Sequence, residues 1–206
     1  RHEVIKSILM TGADKTATDA YFTSWTRDLP NNLDIHDGAG RVSATNSYSI
    51  FDAGEQGFTA LPSTVQGTVI SSPAVATSSS GWGYISSIGE LESVALVFHQ
   101  PQQITDLTAT LAWDVTPRLE VVDETTYIDG GADMLANLDL RVYSVNFDGA
   151  TYTLGEALDE VGLSSLSTDS NVEHLYFTGV LPAGHYAFVI TYADTPDLED
   201  YLTDAG

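Results

Sequence analysis

The spacing of apolar positions changes period along the chain, from that of a helix at the start to that of a strand in the middle and towards the end. In Arg1-His2-Glu3-Val4-Ile5-Lys6-Ser7-Ile8-Leu9-Met10, the residues Val4, Ile5, Ile8 and Leu9 recur at i, i+1, i+4 and i+5. That spacing puts them on one helical face, which needs a partner surface to bury it. The helix is already running at Arg1, with no initiator Met or capping residue ahead of it, which suits an internal fragment or a processed product. A weaker second face follows over 42–51, carried by Val42, Tyr48 and Phe51 with Ala44 and Ile50 nearby, and Gly54 supplies a stop.

Beyond about residue 57 the period becomes 2. In Leu107-Thr108-Ala109-Thr110-Leu111-Ala112-Trp113 the large residues alternate with small or polar ones, as a half-buried strand requires. The stretch 92–98 reads as its neighbour, joined through a turn at Gln100-Pro101-Gln102-Gln103. Further strands are expected over 138–145, 173–177 and 186–192, with Leu181-Pro182-Ala183-Gly184 as the turn between the last two. The Ser/Thr/Gly/Pro-rich stretch 71–83 reads as a loop or linker, and 155–161 as a helical turn or two. Short alternating strands without long intervening helices predict a mainly β fold: an antiparallel, jelly-roll-like β-sandwich preceded by a short α-helical N-terminal segment. The organisation expected is a helical segment over 1–56, a sandwich over 57–193 and an acidic tail over 194–206.

Composition narrows the function classes. With 29 Asp and Glu against 7 Lys and Arg among 206 residues, the formal charge is -22, which repels a nucleic-acid backbone over most of the surface. No apolar run approaches the ~20 residues that a spanning helix needs. Cysteine is absent, so disulfide scaffolds, thiolate metal sites and Cys nucleophiles are excluded together. Few Lys, many Asp and abundant Ser, Thr and Gly point to a secreted or extracellular bacterial or archaeal protein, with the cell surface as one address, or to an acidic surface kept for solubility.

Several residues are candidates for chemistry. Asp123, Glu124, Asp129 and Asp133, around Gly130-Gly131, form the densest carboxylate group, and a hard cation such as calcium is the ligand that clustered loop carboxylates suit. The group lacks the spacing of a helix-loop-helix calcium loop. Trp82 and Tyr84, in Gly81-Trp82-Gly83-Tyr84, form a candidate carbohydrate platform, whereas Trp113 is in phase with Leu107 and Leu111 and reads as core. His36, between Asp34 and Asp37, has one ingredient of general-base chemistry but no nucleophile context. Asp139 and Arg141 share a strand face and read as a surface pair, and Glu173-His174 as hydrogen-bonding residues at a strand edge.

Two stretches resemble a known family. His2-Glu3-Val4-Ile5-Lys6-Ser7-Ile8-Leu9-Met10-Thr11-Gly12-Ala13 resembles the helix that follows the serine-bearing helix of subtilisin-like serine peptidases. Gly38-Ala39-Gly40-Arg41-Val42-Ser43-Ala44 is similar to the glycine-rich turn and short helix that close that catalytic domain. Later, 135–143, 170–175 and Leu181-Pro182-Ala183-Gly184-His185-Tyr186 resemble the β-sandwich modules that follow the catalytic domain in secreted subtilases. The resemblance implies a non-catalytic C-terminal accessory region that stabilises, positions or anchors its parent, with the upstream peptidase domain as partner. The catalytic Ser would need a Gly-Thr-Ser context, and the chain offers only Gly67-Thr68-Val69. Two other readings remain open: a self-assembling extracellular structural subunit whose partners are copies of itself, and a carbohydrate-binding module.

Overall fold

The computed structural model describes residues 1–16, 25–114, 136–168 and 170–193 in full, and 119–123 and 126–129 by their backbone. In chain order the elements are α1 (His2–Thr11), α2 (Ala44–Asp52), β1 (Glu55–Gln56), β2 (Thr59–Leu61), β3 (Val69–Ile70), β4 (Trp82–Gly83), β5 (Ser93–Gln100), β6 (Leu107–Ala112), β7 (Leu119–Asp123), β8 (Thr126–Asp129), β9 (Leu138–Phe147), β10 (Tyr152–Ala157), β11 (Ser164–Ser165), β12 (Val172–Phe177) and β13 (Gly184–Tyr192). The fold is mainly β, with antiparallel sheets preceded by a short helical segment.

One sheet has seven strands in the order β2-β5-β13-β9-β10-β3, with β11 added to β9. Its central strand β13 reads as a continuous apolar run because both of its faces are covered. Tyr186 and Ile190 enter one buried cluster with Phe98, Leu140 and Val142, while Ala187 and Val189 enter a second with Ala95, Val97 and Leu154 on the opposite face. The first cluster is shared with a two-stranded sheet, β12-β6, which contributes Leu107, Leu175 and Phe177. Two sheets therefore pack across that core. On the other side of the large sheet, Leu61, Ile70 and the half-buried Val65 close the second cluster.

The strands of 92–98, 107–113, 138–145, 173–177 and 186–192 fall where alternation places them, but one expected pairing is not made. β5 and β6 are not neighbours, and neither are β12 and β13. β5 and β13 pair within the large sheet, and β6 and β12 pair in the small one. Each short connection thus crosses from one sheet to the other. The two crossings are stitched together where Ile104 and Leu181 exchange backbone hydrogen bonds of 2.9 and 3.0 Å, with both side chains buried in the shared core. The stretch 155–161 also differs: 152–157 is strand β10, aligned against β9 by a ladder that carries an irregularity, and no helical turn follows. The 71–83 stretch is tied to the large sheet rather than free, because Ala76 donates to the Val97 carbonyl at 2.7 Å and Val97 to that of Ala74 at 3.1 Å.

The helical segment lies against the small sheet. Ser43 caps α2 by accepting from the Asn46 amide, and Gly54, at φ +89, follows its end as expected. Gly12 lets α2 come close to α1, since a Cβ there would meet the Ser47 amide nitrogen at 2.8 Å. The helical faces differ from those expected. Of the four apolar residues assigned to one face of α1, Ile8 is buried and Val4 half-buried, but Ile5 and Leu9 face solvent. In and before α2, Val42, Tyr48 and Phe51 are exposed, and Ser47 is the buried residue.

Leu163 is fully buried, and its amide and carbonyl neighbourhood ties the 158–163 bend to β9 through a 2.9 Å bond from the Val142 amide. Leu163→Ala should lower the unfolding free energy by about 2–5 kcal/mol in urea titration. A loss under about 1 kcal/mol would show that this bend is not part of the cooperative core.

Candidate functional site

The small sheet has an outer face as well as a core face, and the sequence of β12 reflects both. Val172, His174 and Tyr176 point one way, and Glu173, Leu175 and Phe177 the other. The register pairs His174 with Thr110 and Tyr176 with Thr108, so the outer face is lined by polar and aromatic groups. Residues 1–16 and 25–41 cover it. Thr11 Oγ1 donates to Thr110 Oγ1 at 2.9 Å, and Thr110 Oγ1 in turn meets His174 Nδ1 at 2.8 Å. Trp25 sits edge-on to Tyr176 with centroids 5.1 Å apart and donates its indole N–H to the Gly38 carbonyl at 2.9 Å. Lys15, almost fully buried, lays its ammonium 4.8 Å from the Tyr176 ring and 5.4 Å from that of Trp25. Burial pushes its pKa down to about 8, against the opposing carboxylates of Asp106 and Asp14.

The loop that follows Trp25 fastens the cover. Asn32 adopts a left-handed backbone, at φ +59, which Asn tolerates better than most residues. Its side-chain amide donates to the Ser164 carbonyl at 2.6 Å and the His174 carbonyl at 3.0 Å. Asn31 bonds Ser170 at 2.9 Å, and the Arg27 guanidinium bonds the Tyr176 carbonyl. Asp34 organises the loop itself. Burial alone would raise its pKa, but amide donations from Thr26, Asp37 and His36 outweigh it and hold the carboxyl down at about 2. The exposed His36 imidazole is peripheral: what the loop uses of this residue is its backbone N–H.

Glu173 and His174 are both fully buried, and the edge of β12 away from β6 is closed by side chains, the His174 amide donating to Ser165 Oγ and its carbonyl accepting from Asn32. Glu173 accepts a short hydrogen bond from Ser165 Oγ and a 2.9 Å bond from the Ser167 amide. Burial pushes its pKa up to about 7 despite these donors. Burial, reinforced by the Lys15 charge, pushes that of His174 down to about 3. As consecutive strand residues they face opposite sides of the sheet. Ser165 meets the His174 backbone amide, at 3.2 Å, and not its imidazole. Carboxylate, imidazole and hydroxyl are thus neighbours in sequence and space without forming a nucleophile-activating relay. Asp139 and Arg141 do share a face as expected, 3.5 Å apart.

A cleft of about 1240 Å³ opens between α1, β4, the end of β6 and the large sheet. Trp82 and Tyr84 line it, together with Glu3, Leu111, Phe188 and several serines. Neither ring is a bare platform. The Trp82 indole donates to the Phe51 carbonyl at 3.3 Å, and the Arg1 guanidinium lies 3.5 Å above the Tyr84 ring. Trp113 is half-buried at the end of β6, where Asn171 Nδ2 donates to its carbonyl at 2.9 Å. Of the proposed calcium group, Glu124 and Asp133 lie outside the described residues, as do the side chains of Asp123 and Asp129. The backbone ladder pairs Asp123 with Thr126 and Asp129 with Leu119.

Glu173 and His174 drive the pH dependence of folding in opposite directions. Glu173, with its pKa raised in the folded state, contributes stability that is complete below about 4.5 and lost as pH rises through about 7. His174, with its pKa lowered, contributes stability that is complete above about 6.5 and lost as pH falls through about 3. Glu173→Gln should therefore make stability rise more steeply with pH between about 4.5 and 7, and His174→Asn should make it rise less steeply between about 3 and 6.5, both read by urea unfolding. Parallel pH curves for the native protein and Glu173→Gln would contradict the raised pKa. No protein-family model, curated protein or solved structure matches the chain.

Proposed function

We propose that the chain is the non-catalytic C-terminal accessory region of a secreted subtilase-like protein, a β-module clamped onto the last segment of its parent's catalytic domain. The observation that carries this reading is the apolar surface that the two helices leave exposed. α1 meets the small sheet through Thr11, and α2 meets the end of α1 through Asn46 and Ser47, while Ile5, Leu9, Tyr48 and Phe51 lie exposed on them and Val42 just ahead of α2. Apolar surface of this kind marks a contact face. The stretches that bear it include the two that resemble the end of the peptidase domain. In this reading the upstream domain covers the helices, and the polar contacts from Asn32, Arg27 and Thr11 hold the module in a fixed position relative to it. Among the described residues no helix is long and apolar enough to cross a membrane.

The encoding gene should carry Asp, His and Gly-Thr-Ser segments upstream of Arg1. When the chain is produced together with that upstream domain, backbone amides of α1 and α2 should exchange with deuterium more slowly than in the isolated chain. Absence of those segments, or unchanged exchange in both helices, would overturn the reading. If the face seats a second copy instead, light scattering will show a concentration-dependent doubling of mass that Phe51→Ser abolishes.

The cleft beside Trp82 and Tyr84 favours a second reading, glycan binding by the same module, because it joins aromatic side chains to a serine-rich wall. Trp82→Ala should then reduce retention on polysaccharide columns, and unchanged retention would rule this out.

A further inference from the structure

We propose that the free edge of β6 is an acceptor for an extended peptide segment of alternating apolar and polar residues with basic flanks, which completes the small sheet as its third strand. The hydrogen-bonding phase of the ribbon defines that edge. The Trp113 amide donates to the Asn171 carbonyl at 3.2 Å, so in this antiparallel register the backbone groups of Leu107, Ala109, Leu111 and Trp113 face β12, and those of Thr108, Thr110 and Ala112 face away from it. The same phase turns the His174 amide and carbonyl outward on the opposite edge, where Ser165 Oγ and Asn32 Nδ2 take them. One edge of the ribbon is thus closed. On the other, among the described residues, the backbone N–H and C=O groups of Thr108, Thr110 and Ala112 have no hydrogen-bond partner.

Exposed sheet edges are ordinarily guarded by Pro, Lys or a bulge. Leu107–Ala112 has none of these, and its register with β12 runs unbroken. The edge opens on the cleft of about 1240 Å³, whose floor is the core face of the large sheet. Phe188 shows that this floor is incompletely covered. It stands on the central strand β13 and is half-buried, whereas Tyr186 and Ile190, two residues to either side on the same face, are buried. Leu111, on the core face of β6, is likewise half-buried and lines the cleft. Trp113 lines it too, and its indole N–H is shielded from water without a hydrogen-bond partner among the described residues.

These surroundings set the chemistry of the incoming segment. A strand laid along β6 alternates its side chains between the two faces of the sheet. Those on the core face would rest on Phe98, Phe188 and Ile190 and must be apolar, while those on the outer face would lie beside Ser7 and Thr11 of α1 and suit small polar residues. Charge selects the flanks. Asp106 precedes β6, Asp114 follows it and meets His2 Nε2 at 2.8 Å, and Glu3 lines the same cleft, whereas no Lys or Arg among the described residues does. Basic ends match this rim, and a second copy of a chain of net charge -22 is repelled by it. Strand addition of this kind draws its affinity from main-chain hydrogen bonds and its specificity from alternate side chains. The slot does not depend on what covers the exposed side of the helices.

The test uses the whole chain and a capped synthetic peptide, Lys-(Thr-Val)3-Lys, with binding read by calorimetry and amide exchange by NMR. One saturable site is expected, at which the amides of Thr108, Thr110 and Ala112 exchange about tenfold more slowly while those of Ala109 and Leu111, already bonded to β12, change little. N-methylation of the peptide on one alternate set of residues should weaken binding by about tenfold or more, and on the other set should leave it unchanged, because a single phase of its amides faces β6. Thr108→Pro, which removes one outward N–H and none used by β12, should weaken binding comparably. A peptide flanked by Glu in place of Lys should bind more weakly at low salt. Absence of a saturable site, exchange at the three amides unchanged by peptide, or equal effects of the two N-methylated sets would overturn the proposal. Concentration-dependent dimers that protect the same amides and that the peptide fails to disperse would overturn the choice of partner in favour of a second copy.

Discussion

A two-stranded antiparallel ribbon is at best marginally stable in water, and β6–β12 is one. Much of the arrangement answers that constraint. The core face of the ribbon is covered by the large sheet, through Leu107, Leu175 and Phe177. The outer face must be covered by something else, and residues 1–16 and 25–41 supply it. Because that outer face presents Thr110, His174 and Tyr176, its cover is made of polar and aromatic contacts more than of apolar ones. Each backbone carbonyl recruited by Asn32 or Arg27 joins the segment to β11 or β12. A contact of this kind has a direction and a fixed partner, so it specifies one position for the cover where a greasy contact would allow sliding.

The same constraint explains the two buried ionisable residues. On an exposed ribbon, Glu173 and His174 would keep ordinary pKa values. With both faces covered, each is driven towards its neutral form, the carboxyl upward and the imidazole downward. Two adjacent residues are thus shifted in opposite directions towards their neutral forms, His174 fully and Glu173 in part at neutral pH. Lys15 is the group that departs from this pattern: almost fully buried, it has its pKa lowered only to about 8 while two aromatic rings and nearby carboxylates attend it.

How much of this was legible in the sequence depends on whether the signal was local. The alternation in 107–113 and 138–145 located β6 and β9, and Asp139 with Arg141 shared a face as period 2 requires. Strand partners were not legible. A four-residue turn such as Leu181-Pro182-Ala183-Gly184 can reverse the chain within a sheet or carry it across to another, and the choice is made by the distant exchange between Ile104 and Leu181. Burial of His174 was likewise hidden, because Trp25 and Asn32, which cover it, lie more than a hundred positions upstream. In Pro30-Asn31-Asn32-Leu33 the sequence marks a turn but not the carbonyls that Asn32 reaches. Asp114 gives no local sign of meeting His2.

The faces of the helices were misread for a reason that bears on their role. A helix at the outside of a protein turns its apolar stripe inward because water is on the other side. Here the layer beneath is itself polar on its upper face, so α1 sets Thr11 and the half-buried Glu3 and Ser7 beside the buried Ile8 and half-buried Val4 towards the sheet and cleft, and α2 buries Ser47. The apolar side chains that remain, Ile5, Leu9, Tyr48 and Phe51, are turned away from it. Helices with apolar side chains on two sides are suited to a middle layer: Ile8 and Thr11 hold α1 on what lies below, and Ile5 and Leu9 stay available for what packs above. The pattern that first suggested a helix in search of a partner is therefore not satisfied by the β-module alone. That remaining surface is the physical basis for reading the helical segment as belonging to a larger body.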